Sequence, residues 1–212
     1  MFRHSLQVKV AFALLTIFLL SSGRALASQR DSLHTALKNE SSPCKQISIQ
    51  TNLVWEYLYE DIEKAESLAK KAVANAQKCP DKFQKSQAYQ ILGTTYLIRN
   101  LSSEALKNYF KALKIKEELK DSSGMAAILN NIGIAYRYLD DYDNALRYYK
   151  KSLALTIELG NNPADDYHNI SLCYNLKKNH KLAIKFERKA LNEYLIRKDS
   201  IEIADCYMGI GY

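Results

Sequence analysis

Glycine and proline are scarce in this sequence. The 212 residues include 7 glycines and 3 prolines, where average usage would give roughly 15 and 10. β-Sandwiches, β-barrels and nucleotide-binding folds with glycine-rich loops need many turns, and turns depend on these two residues. Their scarcity argues against those classes and favours long helices with short connections.

Motifs of catalysis and nucleotide binding are absent as well. The chain contains no G-x-x-x-x-G-K-[ST], G-x-G-x-x-G, G-x-S-x-G or H-E-x-x-H. The four cysteines match no C-x-x-C zinc or redox signature. The sequence therefore predicts no catalytic residues, no cofactor, no metal site and no small-molecule substrate, and we expect a protein that is not an enzyme.

The N-terminal segment (1–27) has the three parts of a secretory signal peptide. Arg3 and Lys9 make the start basic, Val10–Leu20 is an uncharged apolar run, and the segment ends in Ala25–Ala27, an A-x-A pattern. The run is shorter than the roughly 20 residues of a membrane-spanning helix. We predict that the protein is exported to the periplasm or the medium, and a bacterial envelope is the leading expectation. The alternative is an uncleaved segment that tethers the protein to a membrane.

The positive charge is modest once the signal is set aside. The formal net charge of +7 falls to +4 without Arg3, Lys9 and Arg24. The remaining basic residues are spread along the chain without a basic block, so we do not expect nucleic acid binding.

A pattern of small residues and tyrosines recurs at a nearly constant interval along the chain. A small residue is followed three positions later by tyrosine at Gly93 and Tyr96, Gly133 and Tyr136, Ser171 and Tyr174, and Gly209 and Tyr212. Alanine or serine recurs at two later positions of each copy: Ala105, Ala112, Ala145, Ser152, Ala183 and Ala190.

Each copy is typical of two antiparallel helices. Apolar residues recur at helical spacing on both sides of a short polar break such as Asn100–Ser103. A glycine inside a helix costs about 1 kcal/mol relative to alanine, so its recurrence at one register predicts that another backbone passes close by. Because one helix pair cannot bury its own apolar face, the copies must stack into an all-α solenoid.

This order of residues resembles the tetratricopeptide repeat, with an aromatic residue, Tyr109 or Tyr149, between the alanine positions of the second helix. The resemblance implies a right-handed α-solenoid of antiparallel helix pairs. Two copies depart from the pattern. In a degenerate first copy, the small position falls on Leu53, which precedes Gly93 by the same interval by which Gly93 precedes Gly133. In the fourth copy, Glu187 replaces the aromatic residue. The lengthened units resemble arrays found ahead of bacterial sensor kinases and regulators.

The repeats and the signal divide the chain into seven segments. They are a signal peptide (1–27), a lead segment (28–45), a degenerate repeat 1 (46–85), repeat 2 (86–125), repeat 3 (126–163), repeat 4 (164–201) and the first helix of an incomplete repeat 5 (202–212).

The resemblance also implies a binding groove, because the first helices of stacked repeats line a concave face. The family's groove positions correspond here to Gln90, Thr94, Asn130, Ile134, Arg137, His168, Leu172 and Asn175. Amides could bond to a peptide backbone and aliphatic side chains could contact its side chains. A protein or an extended peptide is therefore the expected partner, and His168 is interpreted as a groove residue rather than a metal ligand.

The cysteines fall into two groups. Cys44 and Cys79 flank the first helix pair, and the ends of an antiparallel pair are neighbours, so the roughly 5.5 Å between Cα atoms that a disulfide needs is within reach. We hypothesise a disulfide between them. Cys173 and Cys206 lie on predicted helices and are interpreted as buried small apolar residues.

The final repeat copy stops partway through its first helix. Its apolar residues Ile201, Ile203, Tyr207, Met208 and Ile210 have no second helix to cover them, whereas a solenoid needs a polar terminal cap. We expect that the chain is incomplete; the alternative is that the half-repeat is itself the cap. The leading hypothesis is an exported scaffold that binds proteins. The alternatives are the sensory part of a larger signal-transduction protein and an envelope enzyme whose chemistry lies beyond Tyr212.

Overall fold

The all-α class predicted from the sequence is confirmed. The structure, a computed structural model, describes residues 29–198 and 200–210, and within these ranges it is helical without strands. The predicted signal peptide (1–27) and Tyr212 lie outside the described residues. Residues 29–39 are helical and are labelled α1. The further helices are α2 (Pro43–Tyr57), α3 (Ile62–Ala76), α4 (Lys82–Ile98), α5 (Ser102–Leu119), α6 (Ser122–Tyr138), α7 (Tyr142–Glu158), α8 (Ala164–Leu176), α9 (His180–Arg197) and α10 (Ser200–Ile210).

The helices stack as a solenoid of pairs. Helices α2 and α3, α4 and α5, α6 and α7, and α8 and α9 pack as hairpins, and the second helix of each pair packs on the first helix of the next. The first helices also contact one another, α2 with α4, α4 with α6 and α6 with α8. They therefore form one face of the array, and the second helices form the other. Within the described part of the chain, no helix has both the length and the apolar character needed to cross a membrane.

Polar side chains at the N-caps fix where the helices begin. The carboxylate of Asp81 accepts hydrogen bonds from the backbone N–H groups of Phe83 and Gln84. The same role is taken at α3, α6, α7 and α9 by Asp61, Asp121, Asp141 and Asn179. Each cap satisfies an N–H group that the helix leaves free, which stabilises a helix by about 1 kcal/mol.

Several helices begin before the repeat boundaries proposed from the sequence. Helices α4 and α6 begin at Lys82 and Ser122, four residues before the boundaries placed at 86 and 126. Helix α2 begins at Pro43 rather than at 46, since proline is well suited to the first helical position. The lead segment (28–45) is itself largely helical, because it contains α1 and the first turn of α2.

A glycine faces a tyrosine ring inside each central pair. A Cβ atom added at Gly93 would lie 2.7 Å from the ring of Tyr109, and one at Gly133 would lie 2.6 Å from the ring of Tyr149. Both tyrosine side chains are fully buried. The expectation of a backbone at this register is wrong: a ring from the same pair occupies the space.

The turn of the first pair is one residue shorter than the corresponding turns of the later pairs. In the later pairs, the N-cap N–H bonds to a motif tyrosine five residues earlier, as Leu101 does to the carbonyl of Tyr96. The turn passes through a residue with positive φ, such as Asn100 at 58°. In the first pair the N–H of Asp61 bonds to the carbonyl of Tyr57, four residues earlier.

The shorter turn corrects the register of the first pair. Shortening the first copy by one position makes Tyr57 the tyrosine of the motif and places Val54, not Leu53, at the small position. Ala69 occupies the position that Tyr109 has in the second pair, and Val54 and Ala69 belong to one buried cluster. The first pair thus combines a larger residue on the first helix with a smaller one on the second.

The recurring alanine and serine positions are buried in the structure. They are Ala105, Ala112, Ala145, Ser152, Ala183 and Ala190. Ser152 donates its hydroxyl to the carbonyl of Ala126 at 3.0 Å, across the third pair. In the second pair Ser86 donates in the opposite direction, to the carbonyl of Ala112 at 3.3 Å. The same kind of bond therefore ties the two helices in both pairs.

A disulfide closes the first pair at its open end. Cys44 and Cys79 are bonded, with their Cα atoms 5.0 Å apart. Cys44 lies in the first turn of α2 rather than before that helix, and Cys79 follows the end of α3. The cysteines Cys173 and Cys206 are free and buried.

Candidate functional site

The predicted groove residues lie on the face formed by the first helices. Helix α4 carries two of them, and α6 and α8 carry three each. Seven are partly exposed, and the eighth, Asn175, is exposed: the seven are Gln90, Thr94, Asn130, Ile134, Arg137, His168 and Leu172. The structure therefore leaves all of them accessible, although several are bonded to neighbouring residues.

Internal hydrogen bonds occupy some of the predicted groove groups. The hydroxyl of Thr94 donates to the carbonyl of Gln90 at 3.2 Å and accepts from the hydroxyl of Tyr109 at 3.1 Å. The carbonyl oxygen of Asn130 accepts a hydrogen bond from the side chain of Asn169 at 3.0 Å, which joins α6 to α8. These groups shape the groove wall and are less available to a ligand than the sequence interpretation assumes.

Arg137 places a positive charge in the wall of the groove. Its guanidinium lies 4.9 Å from the centre of the Tyr138 ring. The guanidinium also interacts with the buried hydroxyl of Tyr149. A carbonyl or carboxylate of a ligand could pair with the guanidinium there.

A concavity of about 270 Å³ lies between α2 and α4. Its lining combines two aromatic side chains with hydroxyl and amide groups: Ser48, Thr51, Asn52, Trp55, Phe83, Gln84 and Gln87. Trp55 is 53% exposed and Phe83 is 44% exposed. Trp55 is the single tryptophan of the sequence.

Sequence reasoning missed the α2 side of this concavity because it used the wrong register. Placing Leu53 at the small position directs Gln50 and Val54 into the groove, but both are buried. In the corrected register, Thr51 corresponds to Gln90 and Trp55 to Thr94. Tyr57, which lies three residues after Val54, is the sequence signal that could have revealed the corrected register.

The ring of Phe83 packs against the ammonium of Lys116, which forms an ion pair with Asp121. The ammonium of Lys116 lies 4.1 Å from the centre of the Phe83 ring and 2.6 Å from a carboxylate oxygen of Asp121. The side chain of Lys116 is only 3% exposed. Its hydrogen bond, with a second from the N–H of Gly124, lowers the pKa of Asp121. The N-cap of α6 is thereby coupled to an aromatic side chain of the groove.

A second concavity, of about 290 Å³, lies between α6 and α8. Asn130, Asn131 and Asp165 line it, and the buried Asp166 lies at its base. One carboxylate oxygen of Asp166 accepts a hydrogen bond from Thr156 at 2.8 Å, while the other has no partner within the described part of the chain. Burial raises the pKa of Asp166. A ligand can reach the polar side chains of Asn131 and Asp165 in this concavity.

A polar cluster lies between α8, α9 and α10. Nδ1 of His168 lies 2.9 Å from a carboxylate oxygen of Glu187, which is only 3% exposed. The thiol of the buried Cys206 lies beside them. The hydrogen bond that His168 donates to the Glu187 carboxylate raises the pKa of His168. The sequence interpretation assigns His168 to the groove without this partner.

The opposite face carries a larger, apolar concavity of about 560 Å³. It lies along α5, α6 and α7, where Leu113, Met125 and Leu155 line it and the side chains of Lys114 and Lys151 contribute to its border. None of the predicted groove residues belongs to it.

Comparison with known proteins identifies the repeats. The sequence model of the tetratricopeptide repeat family matches residues 124–194. The Photosystem I assembly protein Ycf3 of Rippkaea orientalis is 42% identical over 69 residues, which are 31% of this chain and 38% of that protein. The chain spans between 34% and 55% of the length of the curated relatives it matches.

Solved structures with the same fold cover most of the chain. BtubC from P. vanneervenii superposes with a TM-score of 0.73 and 22% identity, over 88% of this chain and 85% of that one. A signal transduction ATPase of Pyrococcus horikoshii with a tetratricopeptide repeat sensor gives a TM-score of 0.75 and 22% identity, over 87% of this chain and 30% of that one. At these identities the likeness establishes the fold alone.

Proposed function

We propose that this tetratricopeptide-repeat solenoid is a non-enzymatic module that binds protein partners and holds an extended segment of the partner along the face formed by the first helices. The observation that carries the proposal is the concavity between α2 and α4, where two exposed aromatic side chains, Trp55 and Phe83, stand among hydroxyl and amide groups. Large exposed aromatic side chains are enriched where proteins bind partners.

The chemistry of the groove suits an extended peptide. The side-chain amide of Gln87 can donate to and accept from a peptide backbone, which is unpaired in an extended segment. The hydroxyl of Thr51 donates to the carbonyl of Ile47 and can accept a hydrogen bond from a backbone N–H group of the peptide. An apolar side chain of the partner would sit between Trp55 and Phe83. The guanidinium of Arg137, farther along the groove, would pair with a carbonyl or an acidic side chain.

Similarity to an assembly protein supports protein partners. The protein of Rippkaea orientalis that matches part of this chain is named for assembling photosystem I. An assembly factor acts by binding other proteins, and a stacked helical array offers a long surface for this purpose. We therefore infer a binding role without catalysis for this chain as well.

Variants of the exposed aromatics test the proposal. We expect Trp55→Ala to reduce capture of partners from the source cells by at least tenfold, because it removes the main apolar anchor. Tyr59→Ala is the matched control: Tyr59 is 81% exposed in the turn after α2, outside the concavity. Equal capture by both variants, or equal loss, would contradict the proposed site.

We also propose that the protein is exported. The support is the basic start, the apolar run Val10–Leu20 and the A-x-A pattern at Ala25–Ala27. N-terminal sequencing of the protein isolated from its own cells should begin at Ser28. A start at Met1 in a membrane fraction would support the uncleaved anchor instead, and a start at Met1 in the cytosol would contradict export.

A second candidate function is sensing within a larger signalling protein. It is favoured by the likeness to the ATPase of Pyrococcus horikoshii, whose repeats are described as a sensor. The mass of the protein immunoprecipitated from source cells distinguishes the two. A mass far above 24.2 kDa, sufficient for a further signalling domain, supports the sensor, and a smaller mass supports the separate binding module.

A further inference from the structure

Three side chains with metal-binding donor atoms meet where α8, α9 and α10 pack together. They are His168, Glu187 and Cys206, and one ligand atom of each lies within 4.8 Å of the other two. Glu187 and Cys206 are buried and His168 is partly exposed toward the groove. The cluster thus combines an imidazole nitrogen, a carboxylate oxygen and a thiol sulfur at one point.

The repeat pattern shows that the second and third pairs lack the residues of this cluster. The position of Glu187 is occupied by Tyr109 and Tyr149 in the second and third pairs. The position of His168 is occupied by the amides Gln90 and Asn130. Where the second and third pairs hold a buried tyrosine, the fourth pair holds the carboxylate of Glu187, and the donor atoms of His168 and Cys206 lie close to it.

Cys206 comes from the next first helix, where it occupies the same register position in α10 that His168 occupies in α8. The backbone of α10 approaches the carboxylate closely, since a Cβ atom at Gly209 would lie 3.5 Å from the Glu187 side chain. The cluster therefore draws one ligand from each of three helices, and a metal ion bound there would tie α10 to the fourth pair.

We propose that His168, Glu187 and Cys206 form a zinc site. Zn²⁺ binds nitrogen, oxygen and thiolate ligands in tetrahedral geometry, with metal–ligand distances of roughly 2.0 to 2.3 Å. Ligand atoms around one such ion lie roughly 3.5 Å apart, so small rotations of the three side chains bring them into range. The Cys206 thiol gives up its proton to solvent on binding, because the thiolate is the ligand.

Three protein ligands leave the fourth position of the ion open. Water would occupy it in the isolated protein, as in other zinc sites with three protein ligands. Since His168 faces the groove, a carboxylate or imidazole of a bound partner could replace that water. The site would then serve two purposes: holding α10 in place and contributing a contact in the groove beside α8.

Titration with Co²⁺ and Zn²⁺ tests the site in the full chain. Cobalt occupies the same kind of site and gives a thiolate-to-cobalt absorption band when a cysteine is a ligand. We expect that band at one equivalent of Co²⁺, its loss on addition of Zn²⁺, and a higher melting temperature with Zn²⁺. Cys206→Ser should abolish the band, and His168→Gln should weaken zinc binding at least tenfold.

Two controls separate the site from other metal-binding groups. Cys173→Ser removes the other free buried cysteine, and His180→Gln removes an exposed histidine from the start of α9. Both should bind zinc like the unaltered chain. Absence of the band, or its loss in Cys173→Ser as well, would overturn the proposal. If Cys206→Ser fails to fold, unchanged zinc affinity in His168→Gln overturns it equally.

Discussion

The two central helix pairs and the fourth pair fill the space between their two helices, called the seam here, with different side chains. In the central pairs a glycine faces a fully buried tyrosine ring, Gly93 with Tyr109 and Gly133 with Tyr149. In the fourth pair Ser171 stands at the glycine position, and a buried carboxylate, Glu187, replaces the ring. The central seams contribute stability through apolar burial, whereas the fourth gives up that burial for a polar cluster next to the groove.

The first pair shows a further variation. Val54 and Ala69 occupy the two positions, so the larger side chain is on the first helix, and the Cys44–Cys79 disulfide closes the pair. Close packing requires that a change of volume on one helix be offset on the other. The repeat therefore maintains the filling of the seam rather than the identity of either residue.

The largest expected effect comes from removing a central ring. Tyr149→Ala should lower the free energy of unfolding by about 3–5 kcal/mol, because it leaves a cavity in a fully buried site. Gly133→Val should cost about 1–3 kcal/mol, since its Cβ would meet the Tyr149 ring. Chemical denaturation of both variants measures these losses.

The double variant Gly133→Val/Tyr149→Ala gives the third pair the same two residue types, valine and alanine, that Val54 and Ala69 provide in the first pair. We expect its loss of unfolding free energy to be about 1–2 kcal/mol smaller than the sum of the two single losses, because valine fills part of the cavity that alanine leaves. Additive losses would show that the two positions do not fill a common space.

Removal of the disulfide should have the next largest effect. Cys44→Ser opens a bond between residues 35 positions apart, which should lower stability by about 4 kcal/mol in the chain-entropy treatment. Denaturation without reductant measures the loss, and Cys173→Ser, at a free cysteine, is the control. Non-reducing peptide mapping that found free thiols at Cys44 and Cys79 would contradict the bond.

The N-cap of α6 should matter more than the equivalent cap of α4. Asp81→Ala removes only a cap and should cost about 1 kcal/mol. Asp121→Ala also leaves the buried Lys116 ammonium without its carboxylate, so we expect about 2–3 kcal/mol. Thermal unfolding of the two variants compares them directly, and equal losses would mean that the ion pair adds nothing.

A smaller effect should appear as a dependence on pH. The pKa of Asp121 is lowered in the folded protein, so its stabilising contribution is present above its unfolded pKa of about 3.9 and is lost as the pH falls through the folded value. Asp121→Asn retains a capping side chain but cannot titrate. The stability difference between the unaltered chain and this variant should therefore shrink below about pH 4, and a constant difference would contradict the assignment.

Much of this fold could be predicted because its main signals are local or periodic. The glycine–tyrosine register and the helical spacing of apolar residues each follow from packing rules that act within one repeat. The closeness of Cys44 and Cys79 follows from the antiparallel pair alone. The register predicted for the first pair is wrong because its turn lacks the extra residue with positive φ, and a fixed repeat length conceals such a deletion.

The polar cluster escapes sequence interpretation for a different reason. His168, Glu187 and Cys206 lie on three different helices and far apart along the chain. Taken separately, they are a groove residue, a departure from the pattern and a buried thiol. Their common position depends on how successive first helices stack, which is a property of the assembled array.

The most direct test of this account converts the fourth seam into a central one. In Ser171→Gly/Glu187→Tyr, the fourth pair gains the glycine and ring of the third. Denaturation and cobalt titration of this variant, beside the unaltered chain, measure stability and metal binding together. We expect a folded protein of equal or greater stability that no longer gives the thiolate-to-cobalt band. A large loss of stability, or a band that persists, would contradict the claim that the fourth seam exchanges apolar packing for a metal site.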